Sequence, residues 1–373
     1  MTLPPEPKTS TVPGLAELRA RIDAVDERLL TLLNERARIA SEVGELKRSA
    51  QPEAAFHAPA REREILARLE GLNPGPFPKE AIRPVFQEIM SACLSLERPL
   101  RVAFLGPEGT FSHQAAKFQF GLSAQVLPER SIPAVFRAVE RALADYGVVP
   151  VENATEGMVD STLDAFLESP LRIVAEILLP ADEALLIRHD LAPAQVRRVY
   201  ALPEALGRCQ RWLSQHLPQA TPIVTSSTLE AARLAREDGE GAAVASELTA
   251  RLFDLKAAAE SIQDLASDAT RFWVIGRTPS ASTGRDRTSL VVTVKDSPGV
   301  LLRLLEPLAR RGINLTRVES RPTRRRAWEY AFFLDLDGHA TDREVAAALE
   351  EMAKASSGVK LLGSYPRAEA VKR

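Results

Sequence analysis

Between Leu18 and Leu46 the apolar residues recur at alternating spacings of four and three: Leu18, Ile22, Val25, Leu29, Leu32, Ile39, Val43 and Leu46. That rhythm predicts one long amphipathic helix with a coiled-coil-like seam. Arg36 fills a seam position where an apolar residue is due. Two shorter helical patterns come next, over Pro59–Leu69 and Pro78–Arg98. From Arg101 the rhythm changes. Short apolar runs (Arg101–Leu105, Gln125–Leu127, Gly147–Val151, Arg172–Leu178, Val199–Leu202, Ile223–Thr225 and Ala242–Ala245) alternate with helical stretches such as Ile132–Ala144, Pro203–His216 and Thr228–Glu237. This alternation predicts an α/β domain with a largely parallel sheet. Gly276–Arg287 is polar and rich in small residues, which reads as a linker. Beyond it the pattern predicts strand Ser289–Val294, helix Val300–Arg311, strands Asn314–Glu319 and Trp328–Asp335, helix Asp342–Lys354 and strand Val359–Ser364. The order βαββαβ describes an α+β ferredoxin-like sandwich.

At 373 residues the chain is long enough for two or three domains. The expected division is a disordered, proline-rich leader over 1–13, a helical domain over 14–98, an α/β domain over 100–277, a linker over 278–287 and a C-terminal domain over 288–366. A net charge of −2 gives no general reason to expect nucleic acid or a membrane surface as partner. Cys93 and Cys209 offer no disulfide framework and fit a cytoplasmic location. The five histidines lack metal-ligand spacing, so no metal is expected. No dinucleotide or Walker fingerprint occurs, and no cofactor is expected.

Three peptides carry candidate chemistry: Gly106-Pro-Glu-Gly-Thr-Phe-Ser112, Pro150-Val-Glu-Asn-Ala-Thr-Glu-Gly157 and Thr270-Arg-Phe272. The first two come after apolar runs and open into helical patterns, as strand ends lining a ligand crevice do. Helix starts there offer unpaired N–H groups to an anion. Thr270 and Arg271 add a hydroxyl and a guanidinium. In the helical domain, an arginine in a buried seam is costly unless an anion meets it. Lys47 lies about 20° from Arg36 around the helix and roughly 16 Å along it, so both can converge on a dianion. Arg19 is rotated off that face by roughly 100° and is better placed to serve a partner subunit.

The ordered motifs resemble the bifunctional chorismate mutase/prephenate dehydratase family, from about Leu15 to about Pro366. The resemblance implies an all-α chorismate mutase domain, a two-lobed dehydratase domain resembling periplasmic solute-binding proteins, and an ACT regulatory domain. Leu18-Arg-Ala-Arg-Ile-Asp23, Asn34-Glu-Arg36 and Lys47 are similar to the first helix of the mutases, which bind chorismate within an intertwined dimer. The match makes Arg19 the arginine from the partner and Arg36 and Lys47 the ligands from the same subunit. Arg61 and Glu62 match two further site positions. Ala58, Cys93 and Glu97 depart from residues common in relatives.

For the dehydratase the resemblance implies loss of carboxylate and hydroxide from prephenate, giving phenylpyruvate. Thr270 is then the first candidate to hydrogen-bond the departing hydroxide, with Glu152 as a proton source and Asn153 as an oriented amide. Thr110, with the Gly106–Ser112 backbone, would cradle a carboxylate, and Ser227 would bind substrate. Arg271 is read either as a carboxylate clamp or as the structural partner of a nearby acid. Asp268 stands where asparagine is common. Pro298-Gly299-Val300-Leu301 and Glu319-Ser320-Arg321-Pro322 match the ACT peptides that bind phenylalanine between two such domains, which implies feedback inhibition. Arg324–Arg326 reads as a solvated hairpin.

Two other readings stay open: a dehydratase whose helical domain serves only dimerisation, and a two-lobed ligand sensor without chemistry. Arogenate is an alternative substrate. A carboxylate at Glu97 donates a hydrogen bond to the ether oxygen only when protonated, and burial would favour that form. Mutase activity is therefore expected to fall as pH rises. A profile flat from about pH 5 to 9 and unchanged by Glu97→Gln would refute it.

Overall fold

The computed structural model describes residues 14–50, 59–153, 157–180, 182–265, 269–295, 297–322 and 329–368. The leader 1–13, Ala58, Asp268 and Arg324–Arg326 lie outside them. Of Lys47 and Glu97 only the helical backbone is described.

Three helices open the chain: α1 (Leu15–Ala50), α2 (Pro59–Leu72) and α3 (Lys79–Glu97). The seam of α1 is not buried within one protomer. Its apolar residues from Leu18 to Leu46 are between 40% and 68% exposed. The face that α1 turns inward carries Arg36, Ala37, Ala40, Ser41 and Gly44 instead. Ala37, Ala40, Ser41 and Gly44 are small enough to let a neighbouring helix approach closely, and the larger apolar stripe is left unpartnered among the described residues. Helix α3 docks the helical domain on the α/β domain. Ser91 donates to the Phe120 carbonyl (2.7 Å), and the Glu88 carboxylate accepts from the Leu122 N–H (3.0 Å). No described helix is long and apolar enough to cross a membrane.

The first lobe comprises β1 (Arg101–Leu105), α4 (Phe111–Phe120), β2 (Gln125–Glu129), α5 (Ile132–Glu140), β3 (Tyr146–Asn153), β4 (Gly157–Met158), α6 (Asp160–Glu168) and β5 (Arg172–Pro180). The second holds β6 (Ala184–Ile187), β7 (Arg198–Ala201), α7 (Pro203–Arg208), α8 (Gln210–His216), β8 (Thr221–Val224), α9 (Thr228–Glu237), β9 (Gly241–Ala245), α10 (Glu247–Phe253) and β10 (Lys256–Ala259). The chain then returns to the first lobe as β11 (Ala269–Gly276). Helix starts match the sequence closely: the Thr110, Ser131 and Ser227 hydroxyls accept from backbone N–H groups and cap α4, α5 and α9. The stretch Pro203–His216 is two helices, broken at the buried, non-helical Cys209. β6 and β10 are not anticipated by the periodicity. Lys256-Ala-Ala-Ala259 has helical propensity, and pairing with β6 overrides it.

The sheets are mixed rather than largely parallel, in the orders β2-β1-β3-β11-β5 and β10-β6-β9-β7-β8. The two-residue β4 pairs antiparallel with β3 off the first path. Along each of these paths one strand runs against its neighbours: β11 between β3 and β5, and β6 between β9 and β10. These are the strands the chain forms on entering a lobe. Coming from the cleft, such a strand runs away from it, while the others point their C-terminal ends toward it.

The C-terminal domain is β12 (Asp286–Lys295), α11 (Val300–Arg310), β13 (Leu315–Pro322), β14 (Glu329–Asp337), α12 (Arg343–Lys354) and β15 (Gly358–Pro366), with sheet order β13-β14-β12-β15. Strand β12 begins inside the stretch read as linker. Period-two alternation splits the sheet. Leu290, Val292, Leu334 and Leu336 pack under the helices with Leu304 and Met352. Val291, Ala331, Phe333 and Tyr365 face the first lobe and share one core with Ile173, Trp273 and Ile275. The last domain is therefore fused to the first lobe. At Gly363 a Cβ would stand 2.2 Å from the Ile173 carbonyl oxygen, so the backbones meet where only glycine fits.

Candidate functional site

Antiparallel pairing of β3 and β11 sets Thr270 opposite Asn153 and Arg271 opposite Glu152. Directly opposed residues share a sheet face, and successive residues alternate. Thr270 and Asn153 therefore lie together, and the Asn153 side-chain amide donates to Thr270 Oγ1 at 3.1 Å. Thr270 is buried, and Asn153 is half-buried. An amide that donates to the hydroxyl oxygen leaves the threonine proton free to point elsewhere. Glu152 falls on the opposite face, with its carboxylate 3.7 Å from Arg271 Nη1. The expectation that Glu152 supplies a proton beside Thr270 is corrected by this pleat.

The Gly106–Ser112 loop leaves the end of β1 toward the cleft. The Thr110 hydroxyl donates to the Pro107 carbonyl (3.0 Å) and accepts from the His113 N–H (3.3 Å), so it closes the turn and caps α4. The hydroxyl is thereby engaged within its own loop. His113 is buried, its ring stacked 5.0 Å from Phe104, and burial holds it below its ordinary pKa. Neutral, its Nδ1 accepts from the Gly109 N–H at 3.0 Å. Gly109 has φ of +82°, in the region that favours glycine. From the second lobe, Ser227 caps α9 through the Glu230 N–H (3.1 Å). Thr110 and Ser227 belong to different lobes.

Arg271 does not point into this cleft. Its guanidinium donates to Glu176 (Nε, 2.9 Å), to Asp335 of the C-terminal domain (Nη1, 2.7 Å) and to the Tyr365 hydroxyl (Nη2, 3.2 Å). Ser289 donates to the other Asp335 oxygen at 2.5 Å, and Arg287 donates to Glu176 at 2.7 Å. Asp335 is 2% exposed. Burial alone would raise its carboxyl, but the Arg271 and Arg317 guanidiniums and the Ser289 hydroxyl outweigh that and hold it below its ordinary value. Of the two readings of Arg271, the geometry selects the structural partner of an acid over the carboxylate clamp.

The described side chains among the helical-domain candidates are not brought together within one chain. Arg36 is half-buried on α1 without an ion-pair partner among the described residues, and Arg19 is exposed nearer the start of the helix. Arg61 pairs with Glu64 at 2.6 Å on the surface of α2. Glu62 borders a gap shared with Ser91, Leu94 and Phe120, where α3 meets the first lobe. Cys93 is buried on α3.

In the C-terminal domain, Gly299 (φ +70°) caps α11, with the Pro298 carbonyl held by Arg303 (2.9 Å). Val300 and Leu301 are half-buried in the first turn of that helix. On edge strand β13, Ser320 and Pro322 are exposed and Glu319 is half-buried. Arg321 is an exception within the expected effector peptide. It is 8% exposed and bound to Asp160 and, at 3.1 Å, to Asp164, both on α6 of the first lobe. Its guanidinium is committed to the interdomain contact rather than left for a ligand.

Residues missed by sequence reasoning had a signal. Glu176 and Asp335 each interrupt an apolar strand run, Ile173–Leu179 and Ala331–Leu336. A charge at an inward strand position demands a partner. Arg271, a charge in a third apolar run, is that partner.

Known proteins match this chain domain by domain, in the same order. Residues 18–98 match the sequence model of chorismate mutase type II, 102–280 that of prephenate dehydratase and 288–353 that of the ACT domain. The bifunctional chorismate mutase/prephenate dehydratase of Aquifex aeolicus is 46% identical over 358 residues, spanning 95% of this chain and 98% of that protein. The Stutzerimonas stutzeri protein of the same description is 43% identical over 357 residues, with the same coverage. Among solved structures, a prephenate dehydratase from Arthrobacter aurescens in complex with L-Phe is 37% identical, with a TM-score of 0.67. It covers 72% of this chain and 90% of its own. With the motifs, the domain order and these full-length similarities in agreement, the chain belongs to the bifunctional chorismate mutase/prephenate dehydratase family.

Proposed function

We propose a division of the family's two activities among these residues. The helical domain rearranges chorismate to prephenate. That pericyclic step needs no nucleophile, only a compact substrate conformer and cationic stabilisation of the ether oxygen. Arg36 and Lys47 supply the cations, Arg61 and Glu62 complete the pocket, and Glu97 is assigned the hydrogen bond to the ether oxygen. The exposed seam of α1 supports a homodimer in which Arg19 arrives from the second copy. Full-length agreement with bifunctional relatives favours an active mutase over a dimerisation-only module.

The two-lobed domain then converts prephenate to phenylpyruvate. Carbon dioxide and hydroxide leave as the ring becomes aromatic, and the enzyme's task is to help the hydroxide go. The observation that carries this reading is the Asn153–Thr270 hydrogen bond of 3.1 Å at the cleft edge of the sheet. Asn153 orients the Thr270 hydroxyl, whose proton is aimed at the leaving oxygen. A threonine is a weak acid, so hydrogen bonding and relay are asked of it rather than full proton transfer. Backbone N–H groups of the Gly106–Ser112 loop, other than those of Gly106 and Gly109, and of the first turn of α9 beyond Ser226 hold the substrate carboxylates; the Ser226 N–H already donates to Glu230.

Phenylalanine is the proposed effector, held near Pro298–Leu301 and Glu319–Ser320, and the Arthrobacter relative bound to L-Phe supports this. Cys93 and Cys209, both buried and outside any disulfide, fit a reducing cytoplasm. The test supplies chorismate to purified protein and tracks chorismate, prephenate and phenylpyruvate separately, with and without phenylalanine. Arg36→Ala is expected to lower mutase turnover by about 10²-fold or more and to spare prephenate turnover. Persistence of mutase activity in that variant would place the pocket elsewhere.

A further inference from the structure

We propose that Thr249 of the second lobe and Gly109 of the first form a latch across the cleft, and that Thr249 is a positioning residue for prephenate. Covalently, the lobes are joined only through the two crossings between β5 and β6 and between β10 and β11. Their relative placement is therefore set by noncovalent contacts, and the geometry concentrates these at one glycine. Thr249 is fully buried on α10, and its hydroxyl donates to the Gly109 carbonyl at 3.0 Å. The Gly109 N–H meanwhile donates to His113 Nδ1 within the first lobe, at 3.0 Å. One peptide loop is thus pinned on both sides, once to its own lobe and once to the other.

Shape reinforces the hydrogen bond. A Cβ at Gly109 would stand 2.9 Å from Leu229 Cδ2 of α9, with Leu252 Cδ1 and Thr249 Oγ1 of α10 at 3.5 Å. The loop enters the second lobe only because no side chain is there. A second contact crosses nearby, where the Arg208 guanidinium lies 5.7 Å from the centre of the Phe111 ring. Helix α9 also carries Ser227 at its N-cap, two residues before Leu229. The latch consequently fixes the separation between the Gly106–Ser112 loop and the Ser226–Ser227 turn. Prephenate carries two carboxylates, and a substrate held at both ends needs that separation preset.

Losing the latch should weaken binding without removing the reactive centre, because Thr270 and Asn153 both belong to the first-lobe sheet. Thr249→Val keeps the shape and removes the donor, while Thr249→Ser keeps the donor. Steady-state kinetics on prephenate are expected to show KM raised about 5- to 10-fold in Thr249→Val, the worth of one hydrogen bond. Turnover should stay within about twofold, and Thr249→Ser should return KM to within about twofold of the parent. Mutase rates and thermal unfolding are measured on the same preparations. An unchanged KM in Thr249→Val overturns the proposal, as does a Thr249→Ser variant equally impaired. If Thr249→Val unfolds, Gly109→Ala replaces it. That variant keeps the donor and blocks the fit, so the same rise in KM is expected and an unchanged KM overturns the latch. The inference rests on reading the interlobe cleft as the prephenate site. Full prephenate turnover in Thr270→Ala sinks that reading, whereas an unchanged KM at Thr249 sinks only the latch.

Discussion

Replacing Thr270 with alanine is expected to lower prephenate turnover by about 10²–10⁴-fold, the range one positioned proton-handling group supplies. Chorismate consumption should be unaffected, so prephenate accumulates. The reason is geometric. Thr270 is the second residue of the strand that re-enters the first lobe, and register places it against Asn153 at the strand ends facing the cleft. Alanine removes the hydroxyl that accepts from the Asn153 amide. Thr270→Ser restores an oxygen at the same place and should recover a substantial part of the rate. Loss of turnover with little change in KM marks an interaction made in the transition state. If alanine and serine behave alike, or if the loss appears only in KM, then Thr270 does not assist the leaving hydroxide.

The second large effect concerns stability. Asp335→Ala removes the buried carboxylate that faces Arg271 and, at 3.6 Å, Arg317. Breaking one side of a buried ion pair costs about 3–5 kcal/mol, because the remaining charge is left uncompensated. Glu176 and the Tyr365 hydroxyl still meet Arg271, which favours the lower end of that range. For a unit of this size the loss is a fall of roughly 6–20 °C in its unfolding temperature, read by calorimetry. Glu247→Ala is the control. It breaks an exposed pair with Arg251 and should change little, since such pairs contribute about 0–1 kcal/mol.

The pH dependence has a definite sign. The Asp335 pKa is lower folded than its ordinary 3.8, so its stabilisation is complete above that value and lost as pH falls through the folded value. The acid limb of the stability profile should therefore flatten in Asp335→Ala. Equal unfolding temperatures for parent and variant would mean that the cluster does not hold the C-terminal domain to the first lobe.

Much of the fold is legible along the chain because it is local. Four-three spacing marks α1, the hydroxyls of Thr110, Ser131 and Ser227 mark three helix starts, and short apolar runs mark most strands. Errors fall where local signals are weak or outvoted. The Lys256–Ala259 strand exists because β6 needs a neighbour, not because its residues favour extension. The seam of α1 looked like a core because periodicity reports which face is apolar, not what covers it. Within one protomer, nothing described covers it.

By itself the sequence determined three domains in order, the position of Arg36 on a cationic helix face, and the motifs at Gly106–Ser112, Pro150–Gly157 and Thr270–Phe272. These depend on residue type and on spacing within one element, so a linear reading reaches them. Tertiary structure decided which of those residues act together. The register of β3 against β11 joined Asn153 to Thr270 and turned Glu152 to the far face, since a side chain's direction alternates with each residue. Contacts between residues far apart in sequence drew Arg271 to Asp335, Arg321 to α6 and Thr249 to Gly109. Such pairings depend on how separate elements pack, and no single stretch of chain encodes them.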